Sequence, residues 1–175
     1  MCSAFTHPAI PLALAVFLPK ETVSPTLVVI GAACSIVPDL DAIGFRLGVS
    51  YGDMFGHRGF THSIVFAAAL SALLTFTLFR HLATGNWLVF VFLFVATLSH
   101  PLLDMLTNGG LGIALFAPFS NQRYFFPSRP IEVSPIGVAS FFSTWGIRVL
   151  LSELQWVWLP AAGVFAVGYI IRRYR

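Results

Sequence analysis

Most of the histidines and aspartates of this chain fall in four short groups. They are His7 alone, Pro38-Asp39-Leu40-Asp41, the block His57-Arg58-Gly59-Phe60-Thr61-His62-Ser63, and His100-Pro101-Leu102-Leu103-Asp104. Imidazole together with carboxylate is the usual donor set for zinc, manganese or a mixed two-metal centre, and the chemistry such a set supports is metal-assisted hydrolysis. His100 and Asp104 are four residues apart, which on a helix places both side chains on one face, about 40° apart. Pro101 is expected to kink that helix and free a carbonyl near the site. Asp39 and Asp41 are two apart, a spacing that aligns in an extended segment and fails on an α-helix; Pro38 helps to end the preceding helix just before them. His57 and His62, five apart, cannot share a helical face. His57 is expected in a turn between Gly56 and Gly59, and His62 in the first turn of a helix capped by Thr61 or Ser63. The amides of that helix start would point at the site and favour a phosphate or another anion.

The candidate metal ligands are therefore His7, Asp39, Asp41, His57, His62, His100 and Asp104, holding one or two divalent ions, zinc first and manganese second. His7, Arg58 and Asp41 are the candidate catalytic groups. A single metal would leave ligands over for general acid or base work. Arg58 suits two bidentate tasks, clamping a phosphate or pairing with Asp39 or Asp41. Other polar residues get plainer readings: His81 belongs to a basic loop on the opposite face, Asp53 to a solvated loop, and the stripe from Phe90 to Phe94 to lipid-facing packing.

The elements that must position these groups belong to a membrane protein. The chain has 175 residues, 57% hydrophobic and 10% charged, with a mean hydropathy of +0.84, which argues against a soluble domain and against disorder. Cys2 and Cys34 are too few for a disulfide framework or a cysteine-rich zinc site. The pI near 9.2 comes from scattered basic residues, clustered only at Arg172, Arg173 and Arg175. That tail reads as a juxtamembrane anchor, and no nucleic-acid partner is expected.

Five apolar segments, 8–18, 24–37, 63–79, 87–106 and 155–171, predict an all-α polytopic protein with about five transmembrane helices (four to six) and a polar, Gly/Pro-rich loop region. Continuous apolar runs exclude a barrel, whose strands alternate. The first segment is short for a span, and it does not read as a cleaved signal: no Lys or Arg precedes it, and Pro19-Lys20-Glu21 follows. Residues 108–153 should begin as turns and extended chain, given Asn108-Gly109-Gly110 and Pro118, Pro127, Pro130 and Pro135. Residues 136–151 predict a helix lying in the interface, with a sixth span as the alternative. The whole, 1–175, is one integral-membrane domain with a motif-bearing core at 6–118 and a loop and C-terminal helix region at 119–175. If each of the first four segments crosses once, all four ligand groups come out on the same membrane face.

These motifs, with Thr107 after the last, resemble the YdjM-like family of inner-membrane metal-dependent hydrolases over Thr6 to about Pro118. The combination of His-Arg-Gly-x-Thr-His-Ser with Pro-Asp-x-Asp carries the resemblance. It implies a multispanning protein with a metal site and a hydrolytic activity. The pattern is also loosely similar to the His and Asp ligands of zinc-dependent phospholipases C, which favours phosphoester chemistry. The expected function is a membrane-embedded hydrolase acting on a lipid or lipid-linked phosphoester at the membrane surface. A cation transporter or channel and a metal-stabilised protein without activity are the alternatives. The arginine-rich tail beside the last span favours a cytoplasmic C-terminus, and hence a site on the outer, periplasmic face of the inner membrane.

Overall fold

The structure is a computed structural model that describes residues 1–80, 86–135 and 138–174. His81 lies outside the described residues. The elements are all helical: α1 (Ala9–Leu14), α2 (Pro25–Cys34), α3 (Ile64–Leu78), α4 (Asn86–Met105), α5 (Val138–Phe141), α6 (Thr144–Glu153) and α7 (Leu159–Arg173). Short 3-10 segments cover Ala15–Phe17, Val37–Leu47 and Phe60–His62, and a π turn, Leu154–Trp158, joins α6 to α7. Among the described residues there is no strand, only isolated bridges pairing Thr107 with Ile131 and Ile113 with Tyr124. Residues 108–135 are thus the turns and extended chain that their Gly and Pro content predicts.

Three helical stretches are long and apolar enough to cross a membrane: Pro25–Leu47, Asn86–Met105 and Thr144–Arg173, of 23, 20 and 30 residues. α3 is shorter, at 15 residues, and residues 8–18 fold into the six-residue α1 and one 3-10 turn. The C-terminal region corrects the sequence reading. From Thr144 the chain is continuous with α7 through the π turn, so residues 144–151 form the first turns of one long helix instead of a separate interfacial one. A π bulge absorbs an extra residue without breaking the helix.

α4 is the central helix, with α3 and α2 packed on it, and α1 packs on α7. A Cβ at Gly31 would run into the Phe92 ring, so glycine lets α2 lie close on α4. One apolar core joins Leu27 and Cys34 of α2 to Val89, Phe92 and Leu93 of α4. A second joins Cys2 and α1 to Leu103, Ile131, Val157 and Ala161. The second core lies beside the ends that carry the polar groups.

The 3-10 segment Val37–Leu47 corrects a second expectation. Asp39 and Asp41 do not sit on an extended strand. Three residues per turn puts side chains two apart on different sides of the axis, so the carboxylates turn toward different neighbours. Leu40, Ile43 and Leu47 point outward and are 59%, 58% and 76% exposed, while the Asp39 and Asp41 side chains are only 8% and 3% exposed. The outer face of this helix is mostly apolar, with Arg46 exposed in its last turn, and its carboxylates turn inward.

Candidate metal centre

Six of the seven candidate ligands fall into two overlapping groups at one end of the helices, and His7 lies beside them but in neither group. Asp39, His62, His100 and Asp104 form one group in which a ligand atom from each lies within 4.8 Å of the others, and Asp41, His57 and His62 form a second. His7 stacks on His100, with ring centroids 3.7 Å apart and planes 17° apart.

Hydrogen bonds fix which nitrogens are free. His100 Nδ1 lies 2.8 Å from the Ser35 carbonyl, which can only accept, so Nδ1 carries the proton and Nε2 keeps a lone pair. His62 Nδ1 lies 3.1 Å from Asp41 Oδ2, and the same logic frees its Nε2. The two free Nε2 atoms lie 3.1 Å apart, and Asp39 Oδ1 is 3.3 Å from that of His100 and 3.7 Å from that of His62. Three electron-rich atoms thus converge on one point. Both Asp39 oxygens and both His7 nitrogens are buried without a hydrogen-bond partner, a costly state for a carboxylate unless a cation serves it.

The charge count agrees. Three carboxylates, Asp39, Asp41 and Asp104, gather where the one buried guanidinium, Arg58, is spent on Asp104, so negative charge is left over for a proton or a cation. The Met1 amino group lies 4.0 Å from Asp104, and burial pushes its pKa down. At His62 burial opposes the charged form, but Asp39 and Asp41 overcome it and carry the pKa up to about 9. A proton on His62 therefore occupies the space between the imidazoles in the metal-free chain. His7 goes the other way: burial, helped by His100, lowers its pKa to about 3, leaving a neutral ring.

Asp41 is an organiser. Its Oδ1 lies 2.6 Å from His57 Nδ1, and its Oδ2 accepts from the Thr61 hydroxyl at 2.6 Å and the Arg58 amide at 3.1 Å. Thr61 is thus used on Asp41, and Ser63 is the cap of α3, accepting from the Phe66 amide at 3.0 Å. The expected anion site at that helix start is not formed, because the Ile64 amide donates to the Leu115 carbonyl and the Phe66 amide to Ser63.

Arg58 is fully buried and its partner is Asp104, neither Asp39 nor Asp41: Nε donates to Oδ2 at 3.1 Å. Its other donors go to Thr107 Oγ1 at 3.0 Å and the Gly109 carbonyl at 2.8 Å. Its φ of 63° is the left-handed region, which costs a bulky residue on the order of 1–2 kcal/mol. Bonds from its amide to Asp41 and from the Ala114 amide to its carbonyl hold it there. Gly110, at φ 89°, has no Cβ to strike the guanidinium. The Asn108-Gly109-Gly110 turn is therefore the seat of Arg58.

Sequence reasoning missed several supporting groups. Ser35 offers only a backbone carbonyl, which no motif reveals. Arg123 holds the loop around His57 by donating to the carbonyls of His57, Tyr51 and Asp53. Glu153 takes hydrogen bonds from Ser3 and Thr6; a carboxylate at the edge of a long apolar stretch was the signal for it.

No solved structure matches the chain. The inner membrane protein YbcI of Escherichia coli (strain K12) is 39% identical to it over 175 residues, the full length of both. The YdjM inner membrane protein family matches residues 1–175, and the chain belongs to that family.

Proposed function

We propose that the protein is a multi-pass inner membrane hydrolase that uses a divalent cation, zinc or manganese, to cleave a lipid or lipid-linked phosphoester at the membrane surface. The observation that carries the metal is the convergence of Asp39, His62 Nε2 and His100 Nε2, with their other atoms fixed by neighbours. His7 and Asp104 complete the set, while Asp41 and His57 orient it from outside, an arrangement that fits one ion better than two. The cation, when bound, supplies Lewis acidity and an acidified water near neutral pH.

The remaining work falls to the chain. Asp104 is held in place by Arg58, and Asp41 fixes the tautomer of His62. His7, kept neutral and with no hydrogen bond of its own, keeps a lone pair available beside Asp104 for the ligand role. The lipid reading draws support from the outward Leu40, Ile43 and Leu47. It also draws on an apolar groove of about 640 Å³ between α1 and α7, lined by Ala9, Leu12, Trp158 and Phe165, a volume that suits an acyl chain. Transport fits less well. The buried hydroxyls of Ser71 and Thr97 turn back onto their own helices, donating to the carbonyls of Ala67 and Leu93, so they do not extend the polar cluster along a path.

In this reading residues 8–18 and the helices α2, α3, α4 and α6–α7 make five crossings. The arginines at the end of α7 then lie on the cytoplasmic side, and the site faces outward. A reporter fused after Arg175, read together with one between 39 and 61, tests the orientation: a cytoplasmic C-terminus and an outward-facing 39–61 loop are expected, and the reverse, or both on one side, contradicts it. The function is tested by incubating purified protein with phospholipids and isoprenoid phosphates. Release of a phosphate or phosphoalcohol that stops on chelation and returns with zinc or manganese is the expected result. Metal-stimulated ion flux in liposomes without phosphoester turnover overturns it.

A further inference from the structure

We infer that Glu153 is a positioning residue for the metal centre, acting through the first residues of the chain on His7; this rests on the metal reading above. Glu153 closes α6 and is fully buried. A carboxylate in a long apolar helix is expensive, and spanning does not require it. No cation lies within ion-pair distance of it among the described residues. Its acceptors are used on one short segment instead. Oε1 takes the Ser3 amide, and Oε2 takes the Ser3 hydroxyl at 2.6 Å and the Thr6 hydroxyl at 2.8 Å. Trp158, one turn further along the same helix, donates its Nε1 proton to Thr6 Oγ1 at 3.0 Å.

The opposite side of the segment is held from α4, where Asp104 Oδ1 accepts the Cys2 amide at 2.7 Å. Two carboxylates on two helices thus grip consecutive amides of the chain. His7 follows directly after Thr6, and its own nitrogens have no hydrogen-bond partner. The ring is therefore aimed by the gripped backbone and by its stack on His100. Released from Glu153, residues 3–6 lose their anchor on the α6–α7 helix, and His7 loses its fixed approach to Asp104, 3.7 Å away.

The test is zinc affinity in detergent, by competition with a chromophoric chelator, for the wild type, Glu153→Ala, Glu153→Gln, His7→Ala and the double variant Glu153→Ala/His7→Ala. Glu153→Ala is expected to weaken zinc binding by about 10- to 100-fold, the range for loss of a group that orients a ligand. Glu153→Gln, which keeps an acceptor oxygen, recovers part of it. In the His7→Ala background Glu153→Ala is expected to cause no further loss, because its effect passes through His7. If Glu153→Ala does not fold, Thr6→Val carries the same pair of expectations. Equal losses in both backgrounds, or unchanged affinity in a folded variant, overturn the inference and leave the metal reading standing. A wild type that binds no zinc overturns both.

Discussion

His62 and His100 present Nε2 to Nε2 at 3.1 Å, each with its Nδ1 already committed, His62 to Asp41 and His100 to the Ser35 carbonyl. Two lone pairs at that distance repel unless something positive lies between them. In the metal-free chain that is the proton on His62; in the proposed holoprotein it is the cation. Proton and metal therefore compete for one place, and the competition has measurable consequences.

The first is a pH dependence. The pKa of His62 is up to about 9, against an ordinary value near 6.5, so zinc binding between about pH 6.5 and 8.5 should release close to one proton from His62. Affinity should then rise about tenfold per pH unit over that window and level off above about 9. His7, held down at about 3, should release none. Titration calorimetry in buffers of different ionisation enthalpy counts the protons; zero released at pH 7.5 contradicts this picture. The same shifts set the stability of the metal-free chain. The His62 contribution is whole below about 6.5 and lost as pH rises through 9, whereas the His7 contribution is lost as pH falls from about 6.5 through 3.

Arg58 and Asp104 form a buried pair, both side chains fully buried. Removing one partner strands the other, so Arg58→Ala is expected to destabilise the protein by about 3–5 kcal/mol. Arg58→Lys should recover only part, because a single ammonium cannot reach Asp104, Thr107 and the Gly109 carbonyl together. Thermal unfolding in detergent checks both, and an Arg58→Ala protein as stable as wild type refutes the pairing role.

Gly110 supports the same residue from the other side. Gly110→Ala adds a methyl group where the Arg58 guanidinium lies and forces a side chain into a φ of 89°. The loss should exceed about 1 kcal/mol, and zinc affinity should fall with it as Asp104 shifts. Unchanged unfolding and affinity would show that the turn does not seat Arg58.

How much of this was legible in the sequence depended on how each residue acts. His100 and Asp104 could be paired from spacing alone, because helical periodicity is rigid. Asp39 and Asp41 were misread as extended, since a 3-10 segment leaves no periodic signature in so short a motif. For Arg58 a phosphate and the nearby Asp39 or Asp41 stood open, and Asp104, 46 residues away, was not among the candidates, because only tertiary contact brings it there. Ser35 acts through its backbone carbonyl, and such a role is invisible to residue type. The Thr144 boundary was missed because a π turn lets one helix run through a stretch whose hydrophobic pattern changes register.

The outward face of the 37–47 segment predicts where the site lies relative to lipid. A nitroxide on Ile43→Cys in liposomes should relax faster with oxygen than with a water-soluble nickel complex, and a label on Asp53→Cys should show the reverse. Greater nickel access at position 43 than at 53 contradicts a lipid-facing wall.

The central claim is that Asp39, His62 and His100 hold a divalent cation. Metal analysis of protein purified without added metal or chelator tests it most directly, with His62→Ala and His100→Ala prepared alongside. The account predicts about one zinc or manganese per wild-type chain and a near-complete loss in both folded variants. A wild type free of divalent metal that also takes none up on titration, or variants that retain the wild-type content, would contradict it.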